Sequence, residues 1–296
     1  MKFISKYNLI IIVSLILFFS ASSAKAEDPT LIKQRMIDIL GHEIRVLQML
    51  IKNMVSAKSQ SYEISSKSYL VLDIESQEIL LEKNADEKKS IASVTKLMNA
   101  VIAKENIKKD QNITLKKEML GSYGYSPSIY EGLNISFENL LRASLIQSVN
   151  DAAQSISYFV GKDKFVDLMN QKAKDLSMNN TTYVDANGMN PENKSTARDL
   201  SKLVSYIYNQ HPDILKTTKD NDFWLKDKKD RLLKFNNVNF FYYLPEFIGG
   251  KTGYLVEAKE NIASVFNVNG KPTAIITLNS ENQQADTLAI LNKLEK

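Results

Sequence analysis

Ser93 and Lys96 stand one helical turn apart in the apolar segment IASVTKLMNA. A helix that begins near Ser93 puts the two side chains on neighbouring positions of one face. It also sets the serine hydroxyl at the positive end of the helix dipole, where a developing negative charge is favoured. A lysine held out of water loses basicity, because desolvation penalises its charged form, and it then acts as a general base near neutral pH. Ser-x-x-Lys is thus an activated nucleophile that needs no histidine. Two further short motifs follow, Ser148-Val149-Asn150 between two helical patterns and Lys251-Thr252-Gly253 opening a β-rich run after Gly249-Gly250. Each also has a plain structural reading: Asn150 with Asp151 caps the next helix, and Lys251 is an edge-strand lysine that discourages aggregation.

Composition narrows the chemistry. The chain has no cysteine, which excludes disulfides, a thiolate zinc site, a cysteine nucleophile and a lipid-modified cysteine. Its two histidines, His42 and His211, sit in no motif and read as surface residues, so a Ser-His-Asp triad is not indicated. No metal or cofactor is expected. Lysines are scattered among acids as on an ordinary solvated surface, and no nucleic-acid patch stands out.

Residues 1–26 read as a secretory signal: Lys2 and Lys6, an apolar run from Leu9 to Phe19, and small residues ending at Ala24-Lys25-Ala26. That run is short for a membrane span of roughly 20 residues, so cleavage after Ala26 is expected, with an uncleaved tether as the alternative. Its three lysines account for most of the net charge, which falls from +4 to +1 without them. Residues 27–67 combine an amphipathic helical pattern (Leu31, Met36, Leu40, Ile44, Leu47, Ile51, Met54) with a polar linker. The helix at residues 30–55 is either packed on the body or a stalk, membrane tether or self-association element.

From Ser68 to the C-terminus the chain reads as one domain. SYLVLDIESQEILLEK predicts two strands around a turn at Glu75-Ser76-Gln77. The middle of the chain is helical, with Ser136 as an N-cap and Thr196 with Asp199 in capping-box spacing. Asn269-Gly270 joins two late strands as a hairpin, and QQADTLAILNKLEK closes with a helix. Strand, helices, strands, helix is an α/β arrangement of the α+β type: both chain ends feed one antiparallel sheet flanked by helices, beside a helical lobe.

The ordered trio Ser-x-x-Lys, Ser-x-Asn, Lys-Thr-Gly resembles the motifs of class A β-lactamases and penicillin-binding proteins. The longer blocks YLVLDIESQEILLEKNADEKKSIASVTKLMNA, LLRASLIQSVNDAA, NGMNPENKSTARDL and IGGKTGY resemble the serine-type D-Ala-D-Ala carboxypeptidases, the low-molecular-mass penicillin-binding proteins of peptidase family S11. The likeness covers Ser68 to the C-terminus and implies a β-lactamase/transpeptidase-like fold. By it Ser93 is the acylated nucleophile, Lys96 its base, and Ser148 the proton relay to the leaving amine. Asn150 holds Lys96 or the substrate amide, Lys251 sets the electrostatics around Ser148, and Thr252 binds the substrate carboxylate. Gly253 leaves room for substrate, and the backbone amides of Ser93 and Tyr254 form the oxyanion hole.

The implied activity is removal of the terminal D-alanine from peptidoglycan stem peptides ending in D-Ala-D-Ala, at the periplasmic or extracellular cell-wall face, with β-lactams as acylating inhibitors. The alternative is a D-alanyl-D-alanine endopeptidase that cuts cross-links; the absence of the further β domain and membrane-binding helix common at the C-terminus of carboxypeptidases raises that option. A β-lactamase needs an additional glutamate for deacylation, and Glu192 in NPENKST reads as a loop residue. A non-catalytic peptidoglycan-binding protein would be expected to lack the nucleophile or the base.

Overall fold

The computed structural model describes residues 62–294 except 122–125 and 127, together with Met36, Asp38, Leu40, Gly41 and Leu47. The signal at residues 1–26 and His42 lie outside the described residues. The chain divides into two units, Met1–Ser61 and Tyr62–Lys296. In the first, the five described residues are helical, and Leu40 and Leu47 are exposed.

The second unit begins at Tyr62, ahead of the Ser68 boundary expected from sequence. The reason is Asp286, whose buried carboxylate accepts from Tyr62 Oη at 2.8 Å, from Ser65 N and Ser66 N at 2.8 Å each, and from the hydroxyls of Ser65, Ser66 and Ser280. A buried carboxylate demands such donors, and here they draw part of the predicted linker into the domain.

The main sheet has the order β2-β1-β11-β10-β9, antiparallel throughout. Its strands are β1 (Ser68–Asp73), β2 (Ile79–Lys83), β9 (Phe247–Leu255), β10 (Lys259–Val268) and β11 (Lys271–Ser280). The first hairpin turns at the predicted place: Asp73 Oδ1 accepts from the amides of Glu75 and Ser76, and Gln77 takes a φ of 60°. Asn269 and Gly270, at φ 53° and 86°, make the tight turn between β10 and β11. The middle strands are buried at consecutive positions, so both faces of the sheet are covered.

The helices are α1 (Thr95–Asn106), α2 (Phe137–Ile146), α3 (Asn150–Ser157), α4 (Lys162–Asp175), α5 (Ala197–Gln210), α6 (Pro212–Lys219) and α7 (Gln283–Leu294). Helix α5 packs on β1, β10 and β11, and α7 packs on β10 and β11. Helix α1 is the centre of this unit: every residue from Thr95 to Ala103 is buried, and α2 to α5 all pack against it. Ser136 Oγ caps α2 through Asn139 N at 3.2 Å. Thr196 Oγ1 caps α5 through Asp199 N at 3.0 Å, while the Asp199 carboxylate accepts from Asn180 N and Thr181 instead of closing the box.

Three short ladders complete the fold: β3 (Lys89–Ser90) with β6 (Lys194–Ser195), β4 (Asn112–Thr114) with β5 (Asn134–Ser136), and β7 (Phe223–Lys226) with β8 (Leu232–Phe235). The first positions the site. Lys89 pairs with Ser195 and Ser90 with Lys194, and Ile91 N then donates to Asn193 O at 3.1 Å. The segment that ends at Asn193 is thereby laid along the turn that carries Ser93.

Candidate active site

Ser93 sits in a 3-10 turn, Ala92–Val94, that runs directly into α1. The residue before it, Ala92, is fully buried and has a φ of 48°. Left-handed backbone in an alanine costs of order 1 kcal/mol and persists only where the surroundings over-determine it. Two glycines supply that constraint. A Cβ at Gly188 would fall 2.1 Å from Ala92 O, and one at Gly253 would fall 2.7 Å from Ile91 O and 2.9 Å from Ser93 N. The turn is clamped between two chain segments that approach closer than any side chain allows.

Lys96, one turn further on, is fully buried. Its Nζ lies 2.8 Å from Ser93 Oγ, 2.7 Å from Asn150 Oδ1 and 2.6 Å from Asn187 O. Two of these partners are carbonyl oxygens, which only accept. As an ammonium Lys96 donates to all three; in its neutral form, with two hydrogens and one lone pair, the carbonyls would take the hydrogens and the lone pair would face the Ser93 hydroxyl. Burial holds the Lys96 pKa well below the ordinary lysine value; the charge of Lys251 lowers it further and Asp185 partly offsets both.

Asn150 is the first residue of α3, with Val149 in the cap position. Its side chain bridges Lys96 and Met189, so the plain capping reading is replaced by a positioning one. Ser148, two residues earlier and half-buried, has a φ of 60°, a second left-handed non-glycine residue in the motifs.

Lys251-Thr252-Gly253 lies in the middle of β9, not at its start as the sequence suggests, because Phe247, Gly249 and Gly250 already pair with β10. The edge-lysine reading also fails: Lys251 is buried and its Nζ donates to Thr252 O at 2.9 Å. Burial pushes its pKa down to about 7. Thr252 is half-buried and Tyr254 is 65% exposed. Glu192 is exposed and paired with Lys194, as a loop residue should be. His211 is half-buried against Tyr206 and Glu105, away from solvent more than expected. Among the described residues no group of three or more His, Asp or Glu is placed to hold a metal.

The loop from Asp185 to Asn193 entered the sequence reading only through the block NGMNPENKSTARDL, with no site role given to it. Asp185 Oδ1 accepts from Asn187 N at 3.1 Å, Gly188 N at 2.6 Å and Asn193 Nδ2 at 2.8 Å, and Oδ2 accepts from Asn190 N at 2.6 Å. Asn193 Nδ2 also reaches Thr95 Oγ1 at 3.1 Å, and Asn99 Nδ2 on α1 donates to Ala186 O at 2.9 Å. These bonds fix the Asn187 carbonyl on Lys96. The signal available was Asp185-Ala-Asn-Gly, whose residue types favour a side-chain-stabilised turn.

A family model described as D-alanyl-D-alanine carboxypeptidase, Peptidase S11, matches residues 53–282. The chain is 30% identical over 246 residues to the D-alanyl-D-alanine endopeptidase of Escherichia coli, covering 79% of this chain and 77% of that one. It is 28% identical over 211 residues to the D-alanyl-D-alanine carboxypeptidase DacF of Bacillus subtilis, covering 66% of this chain and 52% of that one. Among solved structures, penicillin-binding protein D2 of Listeria monocytogenes in its cefotaxime-bound form superposes with a TM-score of 0.69 at 27% identity, over 79% of this chain and 98% of that one.

Proposed function

The chain belongs to the D-alanyl-D-alanine carboxypeptidase family, peptidase S11, and is a serine-type D-Ala-D-Ala carboxypeptidase; on that premise we propose how its residues divide the work. The observation that carries the reading is the bond set of Lys96, whose buried Nζ sits within hydrogen-bond distance of Ser93 Oγ and two carbonyl oxygens, so that its neutral form turns its lone pair to the hydroxyl. Lys96 takes the hydroxyl proton as Oγ attacks the carbonyl carbon of the penultimate D-alanine. The oxyanion is held by the amides of Ser93 and Tyr254. As the C–N bond breaks, the proton passes through Ser148 to the leaving amine, and D-alanine departs with the Ser93 ester in place. Water, deprotonated by Lys96, then hydrolyses the ester. Thr252 and the Lys251 cation take the carboxylate of the terminal D-alanine, and Gly253, rather than leaving room for substrate, lets the strand close on the Ser93 turn.

A β-lactam follows the same first step, but its leaving nitrogen stays tethered in the opened ring, so we infer a persistent acyl-enzyme. We also infer export to the cell-wall face, with residues 1–26 as the signal and residues 30–55 as a membrane tether or self-association element. The test is intact mass after incubation with benzylpenicillin, together with D-alanine release from a pentapeptide ending in D-Ala-D-Ala. A stable adduct on Ser93 with release is expected; rapid drug loss without an adduct would overturn the reading.

A second reading, cleavage of D-alanyl cross-links, is favoured by one observation. The chain is 30% identical over 246 residues to the E. coli endopeptidase, against 28% over 211 residues to the B. subtilis carboxypeptidase. Cleavage of a cross-linked dimeric muropeptide, with no D-alanine released from the pentapeptide, is the outcome that would select it.

A further inference from the structure

The single tryptophan of the chain, Trp224, lies on β7 and is 43% exposed. The hairpin register pairs Trp224 with Lys234 and Lys226 with Leu232, and strand alternation sorts the two faces. Phe223, Leu233 and Phe235 are buried, with the Phe223 and Phe235 rings stacked at 4.6 Å. Trp224, Lys226 and Leu232 face solvent, and Lys234, which also approaches Asp222, sets its Nζ 5.4 Å from the Trp224 ring centroid.

This face is rigidly mounted beside the site. Tyr130 Oη and Arg231 Nε donate to the Asp227 carboxylate at 2.6 and 2.7 Å, and Ser128 Oγ donates to Lys234 O at 2.9 Å. Just past β8, Asn236 N donates to Gln147 Oε1 and Val238 N to Ile146 O, each at 3.1 Å. Those acceptors are the two residues before Ser148. The platform and the Ser148 loop are therefore one continuous piece.

Trp224 and Leu232 stand outward at diagonal positions on one face of a braced hairpin. Between Asp222 and Phe235 the sequence has five basic and three acidic residues; Lys226, Arg231 and Lys234 pair with Asp230, Asp227 and Asp222, so the excess cations are Lys228 and Lys229, exposed at the tip. An aromatic plane suits the apolar C–H face of a sugar ring, while its N–H serves a neighbouring hydroxyl. Flanking cations suit carboxylates. Resting on the D-Ala-D-Ala peptidase reading, we propose that the outward face of the β7–β8 hairpin docks polymeric peptidoglycan outside the cleft. Trp224 stacks on glycan sugars, and Lys228 and Lys229 at the hairpin tip meet stem-peptide carboxylates. Because the stem peptide is covalently tied to the glycan, holding the strand here raises its local concentration at Ser93.

As the only tryptophan, Trp224 reports on its own surface. Peptidoglycan strands solubilised by sonication are expected to shift Trp224 fluorescence in the full-length protein, also when Ser93 is blocked by benzylpenicillin, while a free D-Ala-D-Ala pentapeptide gives no shift. Trp224→Ala, and separately Lys228→Glu with Lys229→Glu, should lower kcat/KM on polymeric peptidoglycan about tenfold, the scale of losing one anchor, through KM. The same variants should keep wild-type rates of penicillin acylation. No fluorescence shift, or equal rate loss on polymer and penicillin, overturns the proposal. A shift with anionic phospholipid vesicles but not with glycan strands overturns it in favour of a membrane surface. A wild type that neither acylates nor releases D-alanine would instead sink the peptidase reading, while glycan binding is still judged by fluorescence.

Discussion

Gly253 lies against the backbone of Ser93, the proposed nucleophile: a Cβ at position 253 would stand 2.9 Å from Ser93 N. Strand β9 and the Ser93 turn therefore touch main chain to main chain. Gly253→Ala must push the turn away by several tenths of an ångström, and misplacing a reacting group on that scale costs up to about a hundredfold in rate. Gly188→Ala faces the same obstacle from the other side, with added strain at a φ of 84°. Both variants should unfold as two-state proteins yet react with a fluorescent penicillin at least tenfold more slowly, about 1.4 kcal/mol of barrier. Wild-type labelling rates in either would show that the clamp does not position Ser93.

The pH profile of acylation tests the electrostatics of Lys96. A base must be neutral, so the rate falls as pH drops through its pKa, which burial holds well below 10.5. The acid limb should lie correspondingly low. Lys251 and Asp185 act on this limb with opposite signs. Lys251→Ala removes a repelling charge, which raises the Lys96 pKa and moves the limb to higher pH. Asp185→Asn removes an attracting one and moves it lower. Limbs that shift together, or not at all, in a pH series of benzylpenicillin acylation would refute this assignment.

Asp185 also has a mechanical role that its charge does not cover. Its two oxygens collect four donors from the loop that presents Asn187 O to Lys96. Asp185→Ala leaves those donors without their acceptor, at a cost of about 1–3 kcal/mol for groups shut off from water. The loop should loosen and acylation slow by at least tenfold, with Asp185→Asn recovering part of the loss because its carbonyl still accepts. Hydrogen exchange at Asn187, Gly188 and Asn190 is the check; unchanged protection in Asp185→Ala would rule the clasp out.

Much of this site was legible because its chemistry is written in short spacings. Ser93 and Lys96 are fixed by helical geometry once α1 is recognised, and Asn269-Gly270 and Ser136 act locally, so turn and cap were readable from residue type. What escaped were relations set by tertiary approach. Nothing in the local sequence says that Gly188 and Gly253 meet the same turn from two sides, or that Asn187 offers a main-chain carbonyl that any residue type could supply. Lys251 is the sharpest case. An isolated lysine on an edge strand reads as solvated, and only the packing of β9 on the 3-10 turn and α6 buries it. The boundary at Tyr62 was missed likewise, since its cause, Asp286, lies in the last helix.

That boundary yields a stability prediction. Burial pushes the Asp286 pKa up, but bonds from Ser280, Ser66, Ser65 and Tyr62 more than compensate, and it lies below the usual 3.8. A carboxylate depressed on folding stabilises at neutral pH, and that contribution is lost as pH falls through its folded pKa. Asp286→Ala should cost about 3 kcal/mol in urea unfolding at pH 7, since it strands several buried donors. The gap to wild type should narrow below pH 4. A constant gap across that range would mean the carboxylate charge is not what holds residues 62–66.

Lys251 should show the reverse linkage. Its pKa is near 10.5 when unfolded and about 7 when folded, so between those values the unfolded chain binds more protons and stability rises with pH. Below about pH 7 the full cost of burying the charge is borne by the native state. Lys251→Met fills similar volume without that charge. It should melt a few degrees above wild type at pH 7, and the advantage should shrink toward pH 10 as the wild-type lysine loses its penalty. D-alanine release should nonetheless collapse, because the cation proposed for the substrate carboxylate is gone. Scanning calorimetry at pH 6, 8 and 10 separates the outcomes: a variant that melts lower than wild type at pH 6 would mean that Lys251 is a net stabiliser through its bond to Thr252 O, and that function imposes no cost on the fold at this position.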